Sequence, residues 1–581
     1  MKRSEINESS KWDLTLIYKN DKEWDNDFNS IKIDAISKYE KTIVKDINKL
    51  FDTYYDISRK LEKLYVYAHL MYDSETSNKK NEVRLKKIEK KYQEFGTLSS
   101  YIEPTILKYN IDDFEISKKY KKELEEIFRF KNHTLSIESE TLLNKFANVL
   151  NGASETYKNL TDTDLKFGTI KVEGKDVELT KANYSIYIAS KNRDIRISAW
   201  NALYAGYKGV INTISSTYKQ HVECTVEMAK LRGYKNALQA SLYNDNINVE
   251  VFNNLVNTVT KNLEPLYKYY DMKKKILKLD ELHNYDLYVD LIEECDKKYD
   301  FEEAKKLVLD ATSVLGSDYT KMLKTAFDER WVDIYPNDSK RGGAYSSGGY
   351  DTKPYLLLNY QGKLDNVSTL AHELGHSMHS YYSNSNNEYH ESNYKIFVAE
   401  VASTVNELLL CEHLLNISNN KQEKLSILNR LLELFKSTIY RQTMFSIFEK
   451  TTHEMVENNE ILTYEILSDK YYELNKKFFG PNVKLDEEVK YEWSRIPHFY
   501  YNFYVYKYAT GLSAACKIVE NIKKGEISGY KKFLTTGGSD YPLNELLIAG
   551  VDMTDPSVVE SAINMFEETL NKFIQIYEIG E

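Results

Sequence analysis

The sequence is poor in the two residues that most often interrupt helices. Its 581 residues include only 8 prolines and 22 glycines. Because both residues disfavour helix interiors, their scarcity over such a length predicts a mainly α-helical chain. The same length exceeds what one simple hydrophobic core serves, so we expect two or more lobes.

Cysteine is also scarce, with only 4 residues in the chain. They are far apart in sequence and form no Cys-x-x-Cys pair: Cys224, Cys295, Cys411 and Cys516. This usage argues against a disulfide framework or a zinc knuckle and indicates a reducing compartment.

Long apolar runs are missing as well. No stretch approaches the roughly 18 apolar residues of a transmembrane helix, and the polar segment 4–8 does not lead into the apolar core of a secretory signal. We therefore expect a cytoplasmic protein. The formal net charge of −10 gives no general attraction to nucleic acid or to an anionic membrane, so neither is an expected partner.

Two segments interrupt the helical pattern. Residues 165–180 alternate in the manner of a β-hairpin, with a turn at 173–176. Residues 331–363 contain a glycine-rich segment at 341–349 and a strand at 355–360. Such a strand can offer its edge to an extended peptide, or it can belong to a small structural sheet, and the pattern allows both.

The motif His-Glu-x-x-His occupies residues 372–376. Apolar residues at helical spacing predict that it lies on a helix, with Asp365 as the N-cap: Val367, Leu370, Ala371 and Leu374. On a helix, His372 and His376 lie one turn apart on the same face and can bind one zinc ion. Glu373 follows about 100° round the helix and can reach a metal-bound water. The alternative is a core helix whose histidines are hydrogen-bonded.

A catalytic zinc ion normally has three protein ligands and one open position. His379 is a poor third ligand, because its Cα lies about 10.5 Å along the helix from that of His372; we expect it either to pack in the core or to support the ligands. Glu400 is a better candidate, because a carboxylate inside the apolar run 396–402 needs a partner. That partner can be the metal or a structural cation. Thr404 and Glu407 are candidates for supporting the ligands.

An aromatic segment spans residues 496–511 and includes His498, Tyr501, Tyr504 and Tyr508. Tyr504 and Tyr508 are four residues apart and are predicted to share a helix face, which Tyr501 also fits. Phenols and imidazoles can donate hydrogen bonds to an oxyanion. Aromatic core packing is an equal alternative in a chain with 48 tyrosines.

Over nearly its whole length the chain resembles oligoendopeptidase F, of the thimet-oligopeptidase-like zinc metallopeptidases. The resemblance rests on several segments: Trp12-Asp13-Leu14, His283-Asn284-Tyr285-Asp286-Leu287-Tyr288, Gly343-Ala344-Tyr345-Ser346, Thr369-Leu370-Ala371-His372-Glu373-Leu374-Gly375-His376, Val398-Ala399-Glu400-Val401-Ala402-Ser403-Thr404, Ile496-Pro497-His498-Phe499-Tyr500-Tyr501 and Gly550-Val551-Asp552-Met553.

The resemblance implies a mainly α fold: a large two-lobed helical ellipsoid with a deep central channel and a small β-sheet next to the zinc helix. We expect an N-terminal helical region at 1–110, an N-terminal lobe with the hairpin at 111–200 and the catalytic domain at 201–581.

The resemblance also assigns the site. One Zn²⁺ ion is expected on His372, His376 and Glu400, with Glu373 as the catalytic residue. Further catalytic contacts are expected from His498, Tyr501, Tyr504 and Tyr508. Substrate contacts are expected from Gly343, Ala344, Tyr345, His498, Tyr501 and Tyr508.

The implied function is a zinc-dependent oligoendopeptidase. It would hydrolyse internal bonds of short unstructured peptides through a zinc-activated water, with Glu373 as general base, and would need no obligate protein partner. One alternative is a helical zinc carboxypeptidase that trims peptide C-termini. Another is a helical peptide-binding scaffold without turnover, which the intact Glu373 disfavours.

Overall fold

The computed structural model describes residues 1–292 and 297–578, so Cys295 lies outside the described residues. Helices dominate it, as predicted. In the first half of the chain they are α1 (Asp21–Ser30), α2 (Ile43–Ser74), α3 (Lys79–Ser99), α4 (Ile102–Ile106), α5 (Lys121–Arg129), α6 (Ile137–Leu150), α7 (Gly152–Asn159), α8 (Lys181–Ile188), α9 (Arg193–Gly209), α10 (Ile211–Leu231), α11 (Ala237–Tyr243), α12 (Val249–Lys261) and α13 (Glu264–Ile276).

The second half adds α14 (Phe301–Ala311), α15 (Ser317–Asp328), α16 (Leu364–Asn386), α17 (Ile396–Ile417), α18 (Lys421–Phe435), α19 (Arg441–Glu457), α20 (Tyr464–Phe479), α21 (Tyr506–Lys523), α22 (Ser528–Thr536), α23 (Pro542–Ile548) and α24 (Pro556–Glu578). The short strands are β1 (Thr169–Val172), β2 (Lys175–Glu178), β3 (Leu282–His283), β4 (Val332–Asp333), β5 (Tyr345–Ser347), β6 (Tyr355–Leu357) and β7 (Val483–Lys484).

The chain divides into two compact units, each built from three separate stretches. The first unit contains Met1–Ile137, Lys297–Asn416 and Ile518–Val551. The second contains the described residues of Glu138–Asp296, Ile417–Lys517 and Asp552–Glu581. The linear division at 110 and 200, the ellipsoidal outline and the channel stay predictions. Among the described helices, none combines the length and apolar character needed to cross a membrane.

The first unit holds a three-stranded sheet in the order β4-β6-β5. Its middle strand β6 runs parallel to β4 and antiparallel to β5. Backbone pairing with the β4 segment continues beyond β6, since the N–H of Leu358 donates to the carbonyl of Asp333 at 2.8 Å. The predicted strand 355–360 is therefore a structural strand that is paired on both sides, and β5 is one of the two outer strands of the sheet.

Helix α16 carries the His-Glu-x-x-His motif and packs against this small sheet, as expected. The predicted apolar stripe faces the core: Val367, Leu370, Ala371 and Leu374 are each 0% exposed. The predicted N-cap is wrong. The helix begins at Leu364 with Lys363 as its N-cap, so Asp365 lies inside the first turn. A carboxylate there still interacts favourably with the helix dipole.

The second unit contains the predicted hairpin. Strands β1 and β2 pair antiparallel, with Val172 opposite Lys175. The turn is shorter than predicted, because only Glu173 and Gly174 lie between the strands, with φ of 50° and 81°. Positive φ at both central residues is the geometry that a two-residue hairpin turn favours.

Candidate metal centre

Two helices of the first unit bring three potential metal ligands together. His372 and His376 project from α16, and Glu400 projects from the first turns of α17. The Oε2 atom of Glu400 lies 3.3 Å from Nε2 of His372 and 3.4 Å from Nε2 of His376. Among the described residues, these three form the group of side chains spaced to hold one ion.

The spacing fits zinc. Ligand atoms at about 2.0–2.1 Å from a tetrahedral ion are separated from one another by about 3.3–3.4 Å. The two nitrogen–oxygen distances already have this value. Two nitrogens and one carboxylate oxygen are also a donor set that zinc enzymes use, with the fourth position left open.

Glu400 is more exposed than its apolar sequence context predicted. Its side chain is 43% exposed, although the surrounding residues Val398, Val401 and Ala402 are fully buried. The carboxylate therefore leaves the core on the side of the two histidines. Burial opposes its ionisation, but hydrogen bonds from His372 and His376 outweigh that effect and lower the pKa of Glu400.

Two residues of α17 support the ligands. Oε2 of Glu407 lies 3.3 Å from Nδ1 of His372, so the ring is held at the nitrogen that faces away from Glu400. Ser403 Oγ donates to Glu400 Oε2 at 3.1 Å. Glu407 was a candidate from the sequence, whereas the role of Ser403 was not foreseen. Thr404 makes no hydrogen bond to the three ligands within the described part of the chain.

These carboxylates also control the proton on His372. Burial lowers its pKa, but the hydrogen bonds to Glu400 and Glu407 outweigh burial and raise the pKa to about 10. A metal ion binds the neutral imidazole, so binding releases this proton.

Glu373 lies beside the ligands without belonging to their set. It is 8% exposed, and burial raises its pKa despite the opposing charges of His372 and His376. The backbone N–H of Ser346 on strand β5 hydrogen-bonds its carboxylate. Ser346 Oγ is also 2.8 Å from Ser377 Oγ, which ties the strand to α16. A carboxylate with a raised pKa at a metal centre suits proton transfer.

His379 is not a ligand. It is 0% exposed, and its ring stacks on Tyr394 with the centroids 3.8 Å apart and the planes at 2°. Phe533 covers another side at 5.0 Å. Of its two predicted roles, packing is the one that these contacts show.

Comparison with known proteins identifies the family. The sequence profile of Peptidase family M3 matches residues 186–565, which is most of the chain. The chain belongs to peptidase family M3. A second profile, Oligopeptidase F, matches residues 110–167. The resemblance found from the motifs is thereby confirmed, and the family is one of metallopeptidases.

Individual relatives match over nearly the full length. The M3 chain is 41% identical over 590 residues to Oligopeptidase PepF of Bacillus subtilis (strain 168), covering 99% of this chain and 88% of the relative. It is 38% identical over 593 residues to an Oligoendopeptidase F homolog of Borreliella burgdorferi, covering 99% and 100%.

Solved structures agree with this assignment. A crystal structure described as a peptidase from Chlamydophila abortus has a TM-score of 0.95 and 37% identity, covering 99% of both chains. Oligoendopeptidase-F from Enterococcus faecium has a TM-score of 0.73 and 33% identity, covering 96% of this chain and 99% of that one.

The aromatic segment of this M3 chain lies in the second unit and differs from the sequence expectation. Tyr501 follows a short 3₁₀ turn, and α21 begins only at Tyr506. Tyr501 and Tyr504 therefore do not share a helix with Tyr508. The rings still cluster, because Tyr508 is 5.4 Å from Tyr504 and 6.2 Å from His498 between centroids.

The loop between these rings has a specific backbone shape. Asn502 and Phe503 have φ of 43° and 56°, a backbone conformation that residues other than glycine rarely adopt. Glu449 on α19 stabilises this loop, because Oε1 of Glu449 accepts a hydrogen bond from the N–H of Phe503 at 2.6 Å. Glu449 is 0% exposed, and burial raises its pKa to about 8. Sequence analysis missed this carboxylate.

The glycine-rich segment leads into the edge strand β5. Gly343 has φ of 82°, and its carbonyl accepts a hydrogen bond from Asn359 Nδ2 at 2.8 Å. Ala344 follows, and the hydroxyl of Tyr345 donates to Asp73 Oδ2 at 2.9 Å. The Tyr345 phenol is thus held within the first unit, on a strand that pairs with β6 on one side and has no second strand partner among the described residues.

Proposed function

We propose that the chain is a zinc-dependent oligoendopeptidase, which cleaves internal bonds of short unstructured peptides. The observation that carries this proposal is the position of Glu400 Oε2, 3.3 Å and 3.4 Å from the Nε2 atoms of His372 and His376, next to the buried Glu373. Relatives across the whole length are named oligopeptidases and oligoendopeptidases, which supports the preference for short peptides.

His372, His376 and Glu400 would hold one Zn²⁺ ion. When bound, zinc supplies a Lewis acid that polarises the scissile carbonyl and makes water a better nucleophile at neutral pH. Glu407 keeps the His372 ring in the orientation that presents Nε2, and Ser403 does the same for the Glu400 carboxylate.

Glu373 transfers the proton of the attacking water to the leaving amine. Its carboxylate accepts a proton from water as the oxygen attacks the carbonyl carbon, and it later gives that proton to the nitrogen of the leaving amine as the C–N bond breaks. Its raised pKa matches both steps, because the group must take up a proton and then release it. The Ser346 N–H keeps the carboxylate in place.

His498, Tyr501, Tyr504 and Tyr508 are the proposed donors to the oxyanion and to the substrate. Hydroxyl and imidazole donors are most effective when they are fixed before the reaction, and the Glu449 contact to Phe503 fixes the loop between Tyr501 and Tyr504. Gly343, Ala344 and Tyr345 would align the peptide through the outer edge of β5.

The test uses purified protein loaded with zinc, peptides of graded length and one folded protein, with products read by mass spectrometry. We expect internal cuts in short peptides, no cuts in the folded protein and loss of all cleavage after zinc is removed by a chelator. Restoring zinc should restore the same cuts. One-residue steps from the C-terminus would identify a carboxypeptidase instead. Absence of cleavage by zinc-loaded protein would identify a binding scaffold.

A further inference from the structure

A cavity of about 240 Å³ lies within the second unit, among α13, α18, α19 and α20. Its lining side chains are different from those of the metal centre and of the aromatic segment. An apolar cavity of about 150 Å³ already holds benzene, so a cavity of this volume accommodates a benzene ring with a short alkyl chain.

One wall is a π-helical turn. Residues Lys436–Tyr440 form this turn between α18 and α19. It directs Lys436, Ser437, Tyr440 and the following Arg441 to the cavity. π-turns insert one residue into a helix and occur frequently at functional sites.

The other walls are mainly apolar. They are formed by Leu266, Met444, Phe478 and Phe479, with the rings of Tyr270 and Tyr288. Such a surface favours an aromatic or aliphatic body over a sugar or a phosphate ester.

The polar groups at the cavity are mostly donors. The hydroxyl of Tyr440 is buried and has no hydrogen-bond partner among the described residues. Arg441 uses Nη2 to bond Glu492 Oε1 at 2.6 Å, and it is the one guanidinium among the residues that line the cavity. A buried donor without an acceptor is costly, so an acceptor in the cavity would be stabilising.

The one carboxylate among the lining residues is already engaged. Oε1 of Glu433 accepts from the Tyr269 hydroxyl and lies 3.6 Å from Lys273 Nζ, and Oε2 is paired with Lys436. Burial raises its pKa, but these two ammonium groups outweigh burial and lower it to about 2. Glu433 therefore offers no free acceptor to a cationic ligand.

We propose that this cavity is a binding site for a small arylalkanoate, a monocarboxylate on an aromatic body. The carboxylate would accept hydrogen bonds from Arg441 and Tyr440, and the ring would lie against Phe478, Phe479 and Met444. This site is independent of peptide hydrolysis, so its test does not depend on the proposed peptidase activity.

The first test titrates 3-phenylpropionate into the zinc-loaded full chain by calorimetry, with its uncharged amide as the comparison ligand. We expect saturable binding of one carboxylate per chain, and binding of the amide about tenfold weaker or more, because hydrogen bonds to a charged acceptor are the stronger ones. Absence of saturable binding, or equal binding of the amide, would overturn the proposal.

Two variants locate the ligand. Ser437→Phe fills the cavity, and Tyr440→Phe removes only the unpartnered hydroxyl; we expect each to weaken binding of 3-phenylpropionate about tenfold or more. Tyr204→Phe is the matched control, because the Tyr204 hydroxyl is also buried and unpartnered among the described residues but does not line the cavity. Tyr204→Phe should bind 3-phenylpropionate with the affinity of wild type.

Thermal unfolding establishes that the variants fold. If Ser437→Phe does not fold, the affinity of Tyr440→Phe for 3-phenylpropionate tests the proposal by itself, because this substitution leaves the volume of the ring unchanged. Wild-type affinity in folded Tyr440→Phe protein would show that the carboxylate binds elsewhere and would overturn the assignment.

Discussion

Gly375 lies directly against the backbone of Ser403, where α16 meets α17. A Cβ atom at Gly375 would come within 2.5 Å of the Ser403 Cα and 2.6 Å of the Ala402 carbonyl oxygen. No real side-chain contact is that short, so the two helices approach this closely because residue 375 has no side chain. Glu400 lies on the same stretch of α17, three residues before Ser403.

Gly375→Ala should therefore damage the metal centre. We expect α17 to move away from α16, zinc affinity to fall about tenfold or more, and cleavage to fall with it, because overpacking of this kind costs about 1–3 kcal/mol. Zinc content after dialysis and kcat/KM measure both effects. Gly96→Ala is the control: Gly96 is also helical and in the first unit, and a Cβ there meets no described atom within 4 Å. Equal zinc binding by the two variants would contradict the account.

Glu407→Gln tests the support of His372. The amide keeps the size of the side chain but removes the negative charge beside Nδ1, so we expect zinc affinity to fall about 10–100-fold. A competition titration with a chelator measures this. Glu412→Gln, on the same helix but in a surface pair with Lys523, should bind zinc as wild type. The support role is wrong if the two variants bind zinc equally.

The oxyanion donors are tested by removing one hydroxyl or imidazole at a time, with Tyr501→Phe, Tyr504→Phe, Tyr508→Phe and His498→Ala. We expect at least one of these variants to lose about 10²–10³-fold in kcat with a smaller change in KM, because a donor that acts in the transition state affects kcat. Steady-state kinetics on one peptide separates the two parameters. If all four variants keep kcat within about threefold, this segment does not supply the donor.

Glu449 makes stability depend on pH. Its folded-state pKa of about 8 lies above the ordinary glutamate value, so the folded protein retains a proton that the unfolded chain loses. The free energy of unfolding therefore falls as pH rises from about 4.5 to 8, and the penalty stays constant above that range. Glu449→Gln keeps the acceptor for Phe503 but cannot ionise. We expect the melting temperature of the variant, relative to wild type, to rise between pH 5 and pH 8.

The control for this effect is Glu454→Gln, whose side chain lies on the same helix and is 51% exposed. Glu545 also has a pKa raised by burial to about 8. Because wild type and the Glu449→Gln variant both contain Glu545, its titration does not contribute to the difference between their melting temperatures. A difference in melting temperature that stays constant with pH would exclude a protonated Glu449 in the fold.

Local patterns were sufficient for several features of the fold and site. The apolar stripe on α16 and the existence of the hairpin at 165–180, though not the length of its turn, depend on residues that are neighbours in sequence. Glu400 was found because a carboxylate in an apolar helix needs a partner, although the side chain is more exposed than that argument assumed.

Features that depend on distant residues were not predictable in the same way. Strand β6, which begins at Tyr355, is a middle strand because Val332 and Asp333, more than twenty residues earlier, pair with it. The role of Gly375 depends on its approach to α17, and a glycine inside a helix gives no sign of which helix it faces. The loop at Asn502 and Phe503 adopts positive φ because the distant Glu449 accepts its N–H, so a continuous helix from Tyr501 to Tyr508 was the wrong expectation.

The most direct test of the central claim is the kcat/KM of Glu373→Gln for an internally cleaved peptide, measured together with its zinc content. The variant keeps the size of the side chain and an oxygen that can accept the Ser346 N–H, and none of the three proposed ligands changes. We predict one bound zinc ion per chain and a loss of about 10²–10⁴-fold in kcat/KM, the usual contribution of a positioned acid–base group. Wild-type kcat/KM with zinc bound would contradict the assignment of Glu373 as the group that moves the proton.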